Sequence, residues 1–316
     1  PFTQLNTPYP ATAYLKGFLK TQNIECYQQD LGIEVILKLF SADGLTRLFD
    51  VYKASLKPNK QAFVWQRRSV YISTIDKVVS FLQGKQPSLA HSIVSGNLLP
   101  QGSRFGQLAD LEWSFGELGI QDKAKHLATL YLEDLSDFVQ EVDPDFGFSR
   151  YAESISVSAS SFSKLYKKLN DKISITNAIA WELLEAMINE VKPDLIGFSA
   201  PFPGNIFSSF KMAQLVKERF PSVKLVLGGG YPNTELRSLK EERVFEFFDF
   251  ITLDDGEAPI LNLISFLKGE REKNDLKRCF SLDSNGKVKY YNGSKTPDFK
   301  QKDVGTPCYE GLPTND

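Results

Sequence analysis

A run of three consecutive glycines is the first feature of this sequence that could serve chemistry. In residues 224–239, KLVLGGGYPNTELRSL, an apolar stretch leads directly into Gly228, Gly229 and Gly230. Glycine loses more backbone freedom on folding than any other residue, so this run destabilises the fold unless the positions require it. We therefore expect either a close approach to this backbone or a bend where a side chain would clash.

Three other loops are similarly rich in Gly, Pro or small polar residues: residues 6–12, 199–205 and 254–259. Each loop follows, or is expected to follow, a strand. In open parallel sheets, ligands bind outside the carboxyl ends of the strands, where the direction of the connections switches. The four loops together therefore predict a ligand site at one edge of a sheet.

The residue types in these loops favour a bulky ligand. The Ser199 hydroxyl is expected to point over the sheet edge, and Tyr231 and residues 201–203 offer rigid apolar surface. Backbone N–H groups near Gly256, at a predicted helix start, could receive an amide oxygen or a phosphate. Asp255 and Glu257 are better explained as helix-start acids than as a catalytic pair, so no catalytic residue is predicted.

A dinucleotide fits the glycine loop less well. The G-x-G pattern ends in Asn233 where the fingerprint has Gly or Ala, and Pro232 interrupts the turn into the helix. The Gly-Lys-Ser/Thr sequence of a phosphate-binding loop is absent. NAD or FAD binding is therefore disfavoured.

Alternating helix and strand patterns position these loops. The predicted elements of this half are helix 173–190, strand 194–200, helix 206–220, strand 223–229, a helix from Thr234, strand 249–253 and a helix ending near 268–269. Short connections between such elements predict an α/β fold, a Rossmann-like (flavodoxin-like) parallel sheet with helices on both faces.

The remaining segments predict three parts. Residues 1–40 (helix, strand 24–30, helix) join 173–270 in the sheet domain, and 41–172 form a mostly helical insertion. Residues 271–316 form a β-hairpin around the turn DSNG and then a Pro- and Gly-rich linker. The sheet's first strand is expected just upstream of Pro1.

Composition bounds the function. The chain has 316 residues, 42% of them hydrophobic and 24% charged, with a net charge of -2. This charge gives no reason to expect nucleic acid or a membrane surface as a partner, and no apolar run approaches the roughly 20 residues of a membrane span. Three dispersed cysteines favour a reducing cytoplasm, and two histidines exclude a multi-histidine metal site.

Four segments carry a resemblance in their order: PFTQLNTPYPATAYLKGFLK, KPDLIGFSAPFPGN, FPSVKLVLGGGYPNTELR and FDFITLDDGEAPILNLISFL. Together they resemble the cobalamin-binding domain of B12-dependent radical SAM enzymes. In that family a proline-rich loop precedes a helix, a strand ends in Gly-hydrophobic-Ser, the next ends in Gly-Gly, and an Asp-to-Gly-Glu element follows. The match covers about residues 1–30 and 190–269.

The resemblance implies a cobalamin site whose walls come from the four loops. Residues of the first loop would line the corrin, those after the first two predicted strands would contact its rim and nucleotide tail, and those of the last loop would close the other side. The implied cofactor-binding residues are Asn6, Thr7, Pro8, Tyr9, Ser199, Ala200, Pro201, Phe202, Gly228, Gly229, Gly230, Tyr231, Asp255, Gly256 and Glu257.

Two departures from the family pattern shape this expectation. The D-x-H-x-x-G motif is absent, and His91 and His126 fall in the predicted insertion, so no histidine lower ligand to cobalt is expected. The C-x-x-x-C-x-x-C run, which holds a 4Fe-4S cluster and S-adenosylmethionine in this family, is also absent. TPCYEGLP resembles the linker before that barrel, so we expect an N-terminal part of a longer enzyme that supports methyl transfer or related radical chemistry.

The partner implied is a C-terminal radical SAM domain of the same polypeptide, acting on an unknown substrate, and this part alone is expected to show no turnover. Two alternatives remain open. The fold could have lost cobalamin and serve to recognise a substrate or a partner protein, or it could be a nucleotide-binding α/β enzyme with a degenerate glycine loop.

Overall fold

The computed structural model describes residues 7–55, 62–107, 119–144, 146–147 and 162–314. In chain order, the described helices are α1 (Ala11–Thr21), α2 (Leu31–Leu39), α3 (Ala42–Lys53), α4 (Phe63–Gln66), α5 (Arg68–Leu82), α6 (Ala90–Val94), α7 (Ile120–Val142), α8 (Phe162–Leu169), α9 (Ile175–Val191), α10 (Ile206–Arg219), α11 (Gly230–Glu235) and α12 (Glu257–Leu267). The described strands are β1 (Leu195–Ser199), β2 (Lys224–Gly228), β3 (Phe250–Thr252), β4 (Cys279–Leu282) and β5 (Val288–Tyr291).

The chain divides into two compact units. The sheet unit contains the described residues of Pro1–Gly32, Ser149–Lys172 and Ala180–Thr314, and the helical unit contains those of Ile33–Phe148 and Ile173–Ile179. Relative to the predicted insertion at 41–172, the helical unit starts earlier, and α8 belongs to the sheet unit. The mostly helical character expected for this stretch is confirmed over its described residues.

The sheet has five strands in the order β1-β2-β3-β4-β5. The first three strands are parallel, and β4 and β5 continue the sheet as an antiparallel hairpin beside β3. The predicted α/β class and hairpin are therefore confirmed. Because the described parallel strands follow one another in chain order, they contain no reversal of strand order, and the Rossmann-like (flavodoxin-like) topology stays a prediction.

Helices cover both faces of the parallel part. On one face, Leu263 of α12 packs in a core cluster with Val226 and Phe250 of the neighbouring strands. On the other face, the ring of Phe198 lies 5.6 Å from that of Phe248, which contacts Phe210 of α10 at 5.1 Å. This two-sided burial explains why these strands are continuous apolar runs.

The helical unit is organised around α7. Its Tyr131 ring stacks on Tyr71 of α5 with centroids 5.0 Å apart, and the Tyr131 and Thr74 hydroxyls are 2.9 Å apart. Asp134 of the same helix accepts hydrogen bonds from the backbone N–H groups of Gly102 and Arg104. Apolar packing and buried hydrogen bonds thus fix this unit.

The strand predicted over residues 24–30 is wrong, because the structure has neither helix nor strand there. Instead, the Gln28 side-chain amide donates to the carbonyl oxygens of Cys308 and Glu310, at 2.7 and 2.9 Å. A side chain, and not a strand ladder, therefore joins this segment to its neighbour.

Residues 299–312, which we call the C-terminal strap, pack along α1. The Phe299 ring lies 4.7 Å from that of Phe18, and the Cys308 N–H donates to the carbonyl of Ala13. The segment predicted as a Pro- and Gly-rich linker therefore packs on α1 over these residues. Most of their contacts involve backbone atoms and glycines, which leave no hydrophobic pattern in a sequence.

In the described part of the chain, no helix is both long and apolar enough to cross a lipid bilayer.

Gly17 tests the packing of the strap. Alanine is favoured over glycine inside a helix by about 1 kcal/mol, but a Cβ at Gly17 would lie 2.1 Å from the carbonyl oxygen of Thr306. We expect Gly17→Ala to destabilise the protein by about 1–3 kcal/mol in urea unfolding and to expose the strap to limited proteolysis. Lys20→Ala, at an exposed position of the same helix, should change stability by less than about 0.5 kcal/mol. Equal effects of the two variants would contradict this packing.

Candidate functional site

Loops 199–202 and 228–231, which follow β1 and β2, are joined by backbone hydrogen bonds. The Ala200 N–H donates to the Gly228 carbonyl at 2.9 Å, and the Tyr231 N–H donates to the Ala200 carbonyl at 3.0 Å. The parallel ladder between β1 and β2 thus continues into the loops. Two of the four predicted loops form one layer at the carboxyl ends of the strands.

The glycine run is required by this contact. Gly229 has φ +101°, a backbone conformation that residues other than glycine rarely adopt. A Cβ there would lie 2.8 Å from the Ala200 nitrogen, and one on Gly230 would lie 2.6 Å from the Pro201 carbonyl oxygen. The chain itself therefore occupies the space that these side chains would need.

The helix predicted to begin at Thr234 begins four residues earlier, at Gly230. Gly229 is the single residue between β2 and α11, so the loop at residues 228–231 consists of the end of β2, this turn and the first residues of α11. The Thr234 hydroxyl lies 3.3 Å from the Gly230 carbonyl oxygen, which makes it an internal helix residue and not a cap. The helix start predicted at Thr234 is wrong for this reason.

Ser199, Gly228 and Thr252 lie in one row across the three parallel strands, according to the strand register. The three positions share a face of the sheet at the carboxyl ends of these strands. The Ser199 hydroxyl oxygen is buried and has no hydrogen-bond partner among the described residues. A buried hydroxyl without a partner costs about 1–3 kcal/mol of folding free energy. This hydroxyl is therefore suited to accept a hydrogen bond from a bound molecule or to donate one to it.

The first loop reaches the same edge. The Tyr9 ring lies 6.3 Å from the Phe202 ring in an edge-to-face arrangement, and the Tyr9 N–H donates to Asp30 at 3.1 Å. Thr7 is exposed and Pro8 is buried. Tyr9 and Phe202 provide the apolar surface expected at the edge.

Asn6 lies outside the described residues. Tyr231 is half-buried, and its burial raises the pKa of its phenol, with a smaller contribution from Glu235. The phenol therefore stays protonated and can donate a hydrogen bond at neutral pH.

The loop after β3 is held by charged and polar side chains. The Asp254 N–H donates to the Asn233 side-chain oxygen at 2.6 Å, and the Asp254 carboxylate pairs with Arg237 of the segment after α11. Asp254 adopts φ +61°, which costs a non-glycine residue about 1–2 kcal/mol. These partners compensate for that cost and fix the loop after β3 to α11 and the segment that follows it.

Arg278 connects this loop to the hairpin and the segment after it. Its guanidinium donates to both carboxylate oxygens of Asp298, at 2.9 and 2.7 Å, and to the Asp255 carbonyl at 3.2 Å. The hydrogen bond from Arg278 lowers the pKa of Asp298 below its ordinary range. Sequence reasoning missed Arg278, because the residues that it joins are separated along the chain and carry no motif.

The start of α12 completes the edge. Glu257 is in the first turn of the helix, where an acid interacts favourably with the helix dipole. A Cβ on Gly256 would lie 3.1 Å from a methyl group of Leu15 in α1. The exposed Asp255 offers its carbonyl to Arg278. The structure thus brings the described part of all four predicted loops to one edge of the sheet.

The described residues contain no group of three or more His, Cys, Asp or Glu side chains that could hold a metal ion. His91 lies in α6 and His126 in α7, both in the helical unit.

Comparisons with known proteins add no relative. No protein-family model, curated protein or solved structure matches the chain.

Substitution of Gly229 and Gly269 distinguishes the cost of a steric clash from the cost of a positive φ angle. Both have positive φ, but a Cβ at Gly269 would meet no atom within 4 Å. We expect Gly269→Ala to cost about 1 kcal/mol of unfolding free energy and Gly229→Ala about 2–4 kcal/mol, because the latter also pushes against the Ala200 backbone. Urea unfolding of the two variants measures the difference. Similar losses would show that the loops are not in close contact.

The Arg278–Asp298 pair predicts a pH dependence of stability. Because the folded-state pKa of Asp298 is lowered, its contribution is present above the ordinary aspartate pKa of about 4 and is lost as the pH falls through the folded value. Asp298→Asn should therefore lower the unfolding free energy at pH 7, and the deficit should shrink near pH 3. Asp303→Asn, at an exposed position, is the control. A deficit that is the same at both pH values would contradict the pairing.

Proposed function

We propose that the edge formed by these four loops binds a cobalamin. The observation that carries the proposal is the buried, unpartnered hydroxyl of Ser199, located where the loops converge. A corrinoid has a broad apolar ring with amide groups at its rim, and such a ligand needs both apolar contact and a few hydrogen bonds. The order of motifs in the sequence points to the same cofactor.

The residues at the edge fit such a group in part. Tyr9 and Phe202 offer aromatic surface, and the half-buried Tyr231 phenol can donate a hydrogen bond. The backbone N–H groups at the start of α12 form the positive end of that helix. Ser199 can bond an amide or a phosphate oxygen. When bound, cobalamin supplies methyl-transfer or related radical chemistry, and the protein supplies its position and shielding.

The glycine run fits less directly. The loop after β1 fills the space that a side chain on Gly229 or Gly230 would occupy. These glycines are explained without a ligand, so their predicted contact with the nucleotide tail is not needed for the proposal. It stays a prediction.

The remaining expectations belong to this proposal and rest on the resemblance alone. A radical SAM domain of the same polypeptide, with a 4Fe-4S cluster and S-adenosylmethionine, would provide catalysis in the cytoplasm. The edge would hold the corrinoid without a histidine below the cobalt. The substrate is left open.

A second candidate is a cobalamin-free recognition module. The observation that favours it is that the Ala200 backbone fills the space beside Gly229, so the two loops form a closed layer without a cofactor. A nucleotide is less well supported, since α11 has only 6 residues and begins directly after the glycines. So short a helix provides a weak dipole for a pyrophosphate.

Gel filtration after mixing with hydroxocobalamin tests the proposal. We expect the corrinoid absorbance to co-elute with the protein. Ser199→Ala should weaken binding by about fivefold, because one hydrogen bond contributes about 1 kcal/mol. Ser281→Ala is a matched control, since Ser281 is a buried serine of the same sheet that donates to the Asp249 carbonyl at the opposite edge. Its affinity should be unchanged.

Absence of co-elution from a protein with a cooperative unfolding transition would contradict cobalamin binding and favour the recognition module. Equal affinity of the Ser199→Ala and wild-type proteins would show that a bound corrinoid does not use this edge.

A further inference from the structure

The C-terminal strap runs beside the segment that joins α1 to α2. At its middle, a Cβ on Gly305 would lie 2.6 Å from the Thr21 methyl group. Near its end, the Glu310 carbonyl accepts a hydrogen bond from Gln28, and a Cβ on Gly311 would lie 3.5 Å from the Gln28 carbonyl oxygen. Both stretches therefore run in the same direction, with Thr21 level with Gly305 and Gln28 level with residues 310–311.

This register brings the segments that carry Cys26 and Cys308 alongside each other. Cys308 lies between the two contact points on the strap, and Cys26 lies between Thr21 and Gln28 on the other segment. Gln28, which is only two residues after Cys26, donates a side-chain hydrogen bond of 2.7 Å to the Cys308 carbonyl. The two thiols are far apart in sequence, so no spacing motif indicates this proximity.

The surroundings of the three cysteines differ. Cys26 and Cys308 are half-buried, whereas Cys279 is buried in β4. Burial raises the pKa of Cys26, Lys16 opposes the rise, and the nearby Cys308 thiol adds to it. Burial raises the pKa of Cys279 to about 12. Cys279 is therefore an internal reference thiol that should not react in the folded protein.

We propose that Cys26 and Cys308 form a disulfide when the protein meets a disulfide oxidant. In the first step, the thiolate of one cysteine attacks a sulfur of oxidised glutathione and releases one glutathione thiolate. The thiolate of the other cysteine then attacks the protein–glutathione bond and releases the second. The two thiol protons go to solvent or to the released glutathione, and the oxidant is reduced to two glutathione molecules.

The cross-link would join the strap covalently to the segment before α2. The strap packs on α1, and Leu15 of that helix lies against Gly256 at the loop edge. Oxidation would therefore hold the helix that borders the candidate site. In a reducing cell the pair stays as thiols, and the bond reports a shift of the thiol pool toward oxidation.

The experiment is thiol counting and peptide mapping of the purified chain before and after treatment with oxidised glutathione. Before treatment, Ellman's reagent should detect two thiols in the folded protein and a third only after unfolding. After treatment, both reactive thiols should disappear together, and a non-reducing digest should contain the peptides of Cys26 and Cys308 joined. The melting temperature should rise by about 5 °C and return with dithiothreitol.

Cys26→Ser and Cys308→Ser should each keep a single reactive thiol and give no joined peptide, while Cys279→Ala should still form the cross-link if it remains folded. Glutathione attached to one cysteine without a joined peptide, or a cross-link only between two copies of the chain, would overturn the proposal. These readouts do not depend on cobalamin binding.

Discussion

The contact between the glycine run and the loop after β1 constrains the rest of the candidate site. Gly229 brings its backbone to within van der Waals distance of Ala200, and the hydrogen bonds on either side hold the two loops as one layer. This arrangement orients Tyr231 and Phe202 at the sheet edge and leaves the Ser199 hydroxyl buried in the row below. The glycines therefore contribute to the site by fixing its walls, and not by leaving a gap.

Charge fixes the other half of the edge. Asp254 has an unfavourable backbone conformation, which its hydrogen bond from the backbone to Asn233 and its pairing with Arg237 compensate. Arg278 then joins the same loop to Asp298 beyond the hairpin. The antiparallel hairpin thus has a role besides extending the sheet, because the residue immediately before β4 is the arginine that holds the loop after β3.

The sequence was sufficient for the parallel strands, the hairpin and the location of the loops. Apolar runs with short connections predicted the strands of the parallel part, and the DSNG turn predicted the hairpin. It was insufficient where contacts depend on backbone atoms or on residues distant along the chain. The strap against Gly17, the Arg278 network and the Gln28 contacts leave no periodicity, and the start of α11 depended on the φ angle of Gly229.

Hydrogen–deuterium exchange of the chain with and without hydroxocobalamin tests the central claim most directly, because it locates a ligand without a substitution. With a corrinoid bound at the loop edge, we expect slower exchange in residues 7–10, 199–202, 228–231 and 254–257, and unchanged exchange in the helical unit and in the β4–β5 turn. Protection confined to other residues, or no protection at a corrinoid concentration that saturates binding, would contradict a cobalamin site at the loop edge.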